Sequence, residues 1–363
     1  MLVPPKSRRL AIAAAAFLLT ACSSAGNPTT APTPSPSTVP IVQPTTVPAT
    51  ATPSGSVTIA AVGDIMLARR ITTLMDEHGA IYPFERVLPL LQNADLTIAN
   101  SEGSFTERGG AQVKAYTFRV PPRFASGLAQ AGIDAVSLGN NHTADYGPDG
   151  VQDTIAALDA AGVKHAGAGM NDTQARQPAL LDARGLRIAF LSYTDIMENT
   201  FAGPDSAGVA LATPDAIAAG VRAAKSQADV VIVALHSGVE YTDAPQPDQQ
   251  QLAHAAIDAG ALIVLGHHPH TLQGWSRYNR GLIIYSLGNF VFDLDNGDLA
   301  NLGARAFQTA VVYITFDAHS VQSVRAEPVM IDPNEYRPRP ATAEEAAAIN
   351  QRMDMLNSIA GVP

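Results

Sequence analysis

The sequence predicts an α/β fold, with central β-sheets flanked by helices, and three observations carry that expectation. Strand-like apolar runs alternate with alanine-rich helical stretches, the pattern of βαβ units and a largely parallel sheet. Two runs, VVIVAL at 230–235 and ALIVLG at 261–266, are apolar without interruption, as strands covered on both faces are. From Gly281 onward strands follow one another with few helices between them, which predicts an antiparallel or second-sheet part late in the domain.

The elements follow in chain order. Residues 1–22 read MLVPPKSRRLAIAAAAFLLTAC. Lys6, Arg8 and Arg9 precede an apolar stretch from Leu10 to Leu19, too short to span a bilayer as a mature helix. The stretch ends Leu19-Thr20-Ala21-Cys22, and Cys22 is the one cysteine of the chain. This resembles a bacterial lipobox, in which the cysteine is lipidated and becomes the new N-terminus. The alternative is an ordinary secretory signal with a chance cysteine. Lipidation at Cys22 implies an extracytoplasmic lipoprotein anchored to the membrane rather than spanning it. A single cysteine allows no internal disulfide, so stability must come from a core.

Residues 23–55 are rich in Pro, Thr, Ser and Ala and carry no charged residue. Such a segment cannot bury enough apolar surface to offset its ordering entropy, so it is expected to be a disordered stalk. Composition turns globular after the Ser54-Gly55-Ser56 break, and one domain is expected over 56–335. A C-terminal helix and tail follow over 336–363. The net charge of −10 argues against holding a phosphate backbone by bulk electrostatics, so no nucleic-acid partner is expected.

Strands are expected at Val57–Val62, Asp95–Ala99, Ala135–Leu138, Arg187–Tyr193, Val230–Leu235, Ala261–Leu265, Leu282–Ser286 and Ala310–Phe316. Each is a short apolar run bounded by turn residues. Helices are expected at Pro122–Ala131, Gly150–Ala161, Pro214–Gln227, Gln246–Ala259 and Ala341–Ile359.

The ends of the strands carry the chemistry. The first strand runs into Gly63-Asp64, the second into Asn100-Ser101-Glu102-Gly103, and the third into Gly139-Asn140-Asn141-His142. The next two deliver His236, with Glu240 and Tyr241 close behind, and His267-His268-Pro269-His270; a further run ends at Gly288-Asn289. In open α/β sheets ligands bind outside the carboxyl ends of the strands. One polar residue after a strand is ordinarily a turn or cap residue. The whole set at one edge points instead to a metal centre built from carboxylate, amide oxygen and imidazole, without thiolate. That donor set suits one or two divalent ions, Mn, Zn or Fe, with Mg also admitted. His268 and His270, two residues apart, are expected to point the same way from a locally extended chain. A carboxylate such as Glu102 or Asp64 can bridge a pair of ions.

In order, AVGDIML, ANSEG, LGNNHTADYG, HSGVEY, GHHPHTLQG and YSLGNFVFD resemble the motifs of the CapA family, the poly-γ-glutamate capsule synthesis proteins, within the calcineurin-like metallophosphatase superfamily. The segment KAYTFRVP at 114–121 adds to the likeness. The resemblance implies a metallophosphatase-like layered fold over roughly residues 57–300. It implies Asp64, Glu102, Asn141, His236, His268 and His270 as metal ligands. One ion would take Asp64, Glu102 and His270; the other would take Glu102, Asn141, His236 and His268. His142 would be the acid that protonates the leaving group, and Asp145 the partner that orients its ring. Lys114, Arg119, Glu240, Tyr241 and Asn289 are the expected substrate contacts.

Met66 stands where superfamily phosphatases usually carry a histidine, and a thioether is a poor ligand for hard ions. Two functions stay open: a metal-dependent hydrolase acting on a phosphoester or an amide of an anionic polymer, and a non-catalytic subunit that binds such a polymer. Poly-γ-glutamate is the expected polymer, and a capsule synthase complex the expected assembly.

Overall fold

The computed structural model describes residues 55–196 and 201–361. Cys22, the signal-like segment and nearly all of the expected stalk lie outside the described residues.

The first strand, Val57–Ile65, shows how the layers arise. Val57, Ile59 and Ala61 face one apolar cluster, while Ala60 and Val62 face another. Successive side chains point to opposite faces of a sheet, so a strand apolar at every position is buried on both sides. The larger sheet runs in the order Arg337–Pro340, Val321–Asp332, Gln308–Phe316, Val57–Ile65, Leu96–Ser101, Ala135–Ser137 and Lys164–Ala166. Its last four strands are mutually parallel, and Gln308–Phe316 joins them antiparallel. The smaller sheet runs Trp275–Tyr278, Gly281–Ile284, Ile263–His267, Val230–His236, Leu186–Thr194 and Ala179–Ala183. Its four central strands are parallel and its two edge strands antiparallel.

One apolar cluster joins the facing surfaces of the two sheets: Ile59 and Ile98 of the larger meet Ile188, Ile232 and Leu265 of the smaller. Helices close the outer faces. Arg70–His78 and Gly147–Ala161 cover the larger sheet through Ile71, Met75, Val151 and Leu158. Pro214–Ala224 and Pro247–Ala259 cover the smaller through Ile217, Val221, Leu252 and Ile257. The result is a layered helix–sheet–sheet–helix domain, the expected α/β class with central sheets flanked by helices.

Local rules set the helix ends. Thr213 accepts the Ala216 N–H at the start of one helix, and Thr342 with Glu345 forms a capping box at the start of another. The C-terminal helix Ala343–Ala360 buries Ile349, Met353 and Leu356 against Leu272.

Some expectations are corrected. The stretch Pro122–Ala131 is a 3-10 turn at Pro122–Phe124 followed by a short α-helix, Ala125–Gln130. Gly281–Ile284, the first of the late strands, is antiparallel to Trp275–Tyr278 yet parallel to Ile263–His267, and the strands after it lie in the larger sheet. Asn289–Val291 then pairs parallel with the first strand, so the chain crosses from the smaller sheet to the larger at Gly288-Asn289. A side chain at Gly63 would run into the carbonyl of Gly288. That close crossing explains the glycine before Asp64.

Candidate metal centre

The parallel strands of both sheets end on the same side, and their polar termini meet there. Asp64, Glu102, His236, His267, His268 and His270 are all buried. Gly139 allows the third strand end to approach the neighbouring sheet: a side chain there would meet Ser192 Oγ at 2.5 Å.

Asn100 organises the floor. Its amide donates to Asp64 Oδ1 at 2.9 Å and approaches Glu102 Oε2 at 3.4 Å and His236 Nδ1 at 3.5 Å. Asn140 in turn donates to Asn100 Oδ1 at 3.0 Å, and its own oxygen accepts the backbone N–H groups of His142 and Thr143. These two amides fix the strand ends relative to one another.

Asp64 Oδ1 also meets His267 Nδ1 at 3.1 Å, and Asp64 Oδ2 lies 3.3 Å from His270 Nδ1. Burial by itself raises the Asp64 carboxyl, but His267, hydrogen-bonded to Oδ1, and His270, close to Oδ2, outweigh it and hold the group well below its ordinary range. Glu102 lacks such donors. Burial pushes it up to about 8, against the pull of His270 and with the push of Asp64. His270 is desolvated too, yet Glu102 and Asp64 raise it to about 9. Its Nδ1 faces Asn289 Oδ1 at 2.9 Å, while Asn289 donates its amide hydrogens to the carbonyls of His270 and Ala306. Asn289 Oδ1 is therefore the acceptor of the His270 Nδ1–H, and the other ring nitrogen, Nε2, lies 3.7 Å from Glu102 Oε1.

The imidazoles opposite behave differently. Burial, together with His268, pushes His236 well down; burial, together with His270, pushes His268 to about 3. His236 Nε2 meets Asn141 Oδ1 at 2.9 Å. The rings of His236 and His268 are 4.9 Å apart.

The donor set fits a divalent cation on an independent observation. Asp64 Oδ2, Glu102 Oε1, His267 Nε2 and His268 Nδ1 are buried with no hydrogen-bond partner among the described residues. Buried acceptors are ordinarily satisfied, and buried carboxylates need a compensating charge. Donor atoms of Asp64, Glu102 and His236 lie within 4.8 Å of one another, as do those of Glu240, His268 and His270. Met66 adds no ligand atom: it is fully buried, and its sulfur accepts the Ala68 N–H at 3.2 Å.

His142 stands at the edge of this group. Its Nδ1 donates to Asp145 Oδ2 at 2.8 Å, and its Nε2 lies 3.8 Å from Glu102 Oε1. The ring stacks on Phe118 at 4.1 Å. Burial lowers its pKa, while Asp145 opposes the shift. Asp145 also accepts the Phe118 N–H at 2.6 Å and forms an ion pair with Lys114.

Of the expected substrate contacts, Glu240 and Tyr241 line a cavity of about 390 Å³ with Tyr116, His142, His270 and Phe292. Lys114 is committed to Asp145 and to the Asn141 carbonyl at 2.5 Å. Arg119 binds the carbonyls of Arg108 and Gly109 and lies over the Tyr146 ring at 3.8 Å. Asn289 serves His270. Arg69 lines the cavity and pairs with Asp293 at 3.3 Å.

The His-Pro-His expectation is corrected in its backbone. His268 and His270 have φ of 93° and 53°, left-handed rather than extended, yet their rings are brought to 5.8 Å. Sequence reading missed Asn100, Asn140 and His267. The signal for Asn100 was an amide closing the otherwise apolar stretch LTIAN. For His267 it was adjacency to the pair itself, since the left-handed backbone at His268 turns the chain directly after the strand.

A layered α/β domain with buried carboxylates, amides and imidazoles at its strand ends defines a candidate metal-centre protein. The chain belongs to the bacterial capsule synthesis protein PGA_cap family, whose model matches residues 58–294. It is 36% identical over 246 residues to the capsule biosynthesis protein CapA of Bacillus anthracis, covering 65% of this chain and 60% of that protein. To the PGA biosynthesis protein CapA of Bacillus subtilis (strain 168) it is 35% identical over 236 residues, 64% of this chain and 62% of that one. The chain thus spans about 60% of the length of these relatives. Among solved structures, a putative 5'-nucleotidase from Staphylococcus aureus aligns with a TM-score of 0.49 at 15% identity, over 82% of this chain and 58% of that one.

Proposed function

We propose that this protein is a cell-surface component of capsule polymer assembly or export that carries a metal-dependent, hydrolase-like site. Family membership supports the capsule assignment, and poly-γ-glutamate is the polymer named for the Bacillus subtilis relative. A capsule synthase complex is the proposed assembly, and lipidation at Cys22 the proposed anchor.

The observation that carries the chemistry is the pair of unpartnered carboxylate oxygens, Asp64 Oδ2 and Glu102 Oε1, beside His142 Nε2. Asp64, Glu102, Asn141, His236, His268 and His270 would hold one or two divalent ions. Such ions supply positive charge that polarises a phosphoryl or carbonyl oxygen and makes water more acidic. The chain's own residues do the rest. Asp145 holds the His142 tautomer with Nδ1 protonated, which turns the Nε2 lone pair toward the cavity. Burial keeps that ring neutral near pH 7, so it accepts a proton at Nε2 before delivering one to a leaving group. Phe118 stacks on the ring and keeps water from its face.

A non-catalytic polymer-binding subunit is the second reading. It is favoured by Met66, which adds no ligand atom where superfamily phosphatases usually carry a histidine. Metal analysis of the purified protein and a screen on phosphoesters and γ-glutamyl peptides test the proposal. Metal-loaded protein inert on both substrate classes would leave the binding reading standing.

A further inference from the structure

The loop after the first strand ends on an arginine that faces the site. Met66, fully buried, accepts the Ala68 N–H on its sulfur at 3.2 Å, and its own N–H donates to the Val291 carbonyl at 2.9 Å. Leu67 and Ala68 are buried as well, and the Leu67 carbonyl accepts the Thr72 hydroxyl at 2.7 Å. This packing carries the chain into Arg69 at φ 60° and ψ −129°. Glycine is the usual residue at such angles. A residue with a side chain stays there where its surroundings over-determine the conformation, and strain of that kind gathers at ligand sites.

Arg69 lines the cavity of about 390 Å³ together with His142 and His270. Its Nε lies 3.3 Å from Oδ2 of Asp293, a residue only 7% exposed, and Arg70 stands 3.6 Å from the other oxygen of that carboxylate. A buried carboxylate thus fixes one edge of the Arg69 guanidinium. Among the described residues no hydrogen bond holds its two terminal nitrogens, and the side chain is 49% exposed. Lys114 and Arg119 are bound to groups of the protein. Arg69 is the one lysine or arginine lining the cavity among the described residues. Glu240 and Asp298 line it too, so positive side-chain charge in the cavity is confined to Arg69.

We infer that Arg69 determines substrate specificity: its two terminal nitrogens seat one oxyanion group of the substrate, a carboxylate or a phosphoryl, beside the candidate centre. The inference rests on the proposed function and deepens it by naming a group the substrate must carry. A guanidinium with a free edge offers two parallel N–H donors, which match the two oxygens of such a group. Asp293 orients the fork, and the strained backbone at Arg69 aims it.

The test is calorimetry on the full-length protein as purified, with metal content measured in parallel. The probes are γ-glutamylglutamate, its fully amidated analogue and inorganic phosphate. Arg69→Met should weaken the charged dipeptide, phosphate or both by about 10- to 100-fold, the loss of a charge-assisted hydrogen-bonded pair, and leave the amidated analogue unchanged. Arg69→Lys should restore binding only in part, since an ammonium cannot reproduce the fork. Arg69→Gly suits the backbone angles and should show the same loss as Arg69→Met, which separates lost binding from a fold defect. A loss confined to the dipeptide identifies a carboxylate, and one confined to phosphate a phosphoryl group. The inference is overturned by a wild type that binds neither anion, by anion binding that survives Arg69→Met, or by equal weakening of the amidated analogue. A wild type that holds no metal yet loses anion binding on Arg69→Met keeps this inference and overturns the reading of the centre instead.

Discussion

Asp64 and Glu102 on one side of the candidate centre, and His236 and His268 on the other, are buried alike yet hold protons in opposite ways. Burial disfavours the charged form of both kinds of group. For the imidazoles that means neutrality, so His236 and His268 are ready-made ligands with a free lone pair. For Glu102 it means a proton held up to about pH 8, while Asp64 escapes only because His267 and His270 stand against it. One half of the site is thus built to receive a cation without proton exchange; the other must give up a proton first. A shared degree of burial teaches little until the partners of each group are named.

The strongest way to break this contrast is Glu102→Gln. It removes a charged donor from the floor and leaves the fold intact, because Glu102 Oε1 has no hydrogen-bond partner to lose. Metal affinity should fall by more than about 100-fold, since even partners that only orient ligands cost about 10- to 100-fold. Elemental analysis after dialysis, with circular dichroism as the fold control, decides it; full metal content would rule Glu102 out as a ligand.

His142→Ala comes next. His142 is not among the proposed ligands, so metal content should be unchanged while turnover on a responsive substrate falls by about 10² to 10⁴, the range for losing a proton-transfer group. The loss should shrink with good leaving groups. Metal lost in this variant would mean that His142 is itself a ligand.

His236→Ala probes the neutral half. Affinity should drop, though by less than for Glu102→Gln, because no charge is removed. An equal or larger drop would erase the distinction between the halves.

Acid sharpens the comparison without a mutation. With Glu102 raised to about 8 and His270 to about 9, metal uptake by the proposed ligand set must displace protons below those values, and affinity should fall as pH drops from 8 to 6. His268, lowered to about 3, adds no proton competition in that window. Calorimetry in buffers of different ionisation enthalpy counts the protons released, and no release at pH 7 would contradict the assignment.

The smallest effect lies outside the site. Arg339 pulls Glu345 down to about 2 at the start of the C-terminal helix. A folded value below the ordinary one gives stability that is present above about pH 4.5 and lost as pH falls toward 2. Glu345→Gln should therefore lower the midpoint of thermal unfolding slightly at pH 7 and converge with the wild type near pH 2, with metal binding unchanged. The pair is partly solvated, so less than about 1 kcal/mol is expected.

The strands were legible because burial on both faces writes uninterrupted apolar runs such as VVIVAL into the chain, and their polar ends named nearly every residue of the site. The helix Arg70–His78 was not legible: its start, Arg69, is a non-glycine residue at φ 60° with no side-chain cap, so no start signal marks it. The C-terminal helix was expected, but not its reach toward the histidine loop through Arg352.

By itself, the sequence determined the α/β class, the strand ends that carry ligand-type residues and the family. These follow from periodicity and from local strings whose chemistry travels with them. Tertiary structure alone decided which donor faces which. The gathering of Asp64, Glu102 and His236 within reach of one another, the service of Asn289 to His270, and the withdrawal of Lys114 into an ion pair with Asp145 all arise from contacts between residues distant in the chain. Their geometry depends on how two sheets stack and where left-handed turns fall, and neither leaves a periodic trace in the sequence.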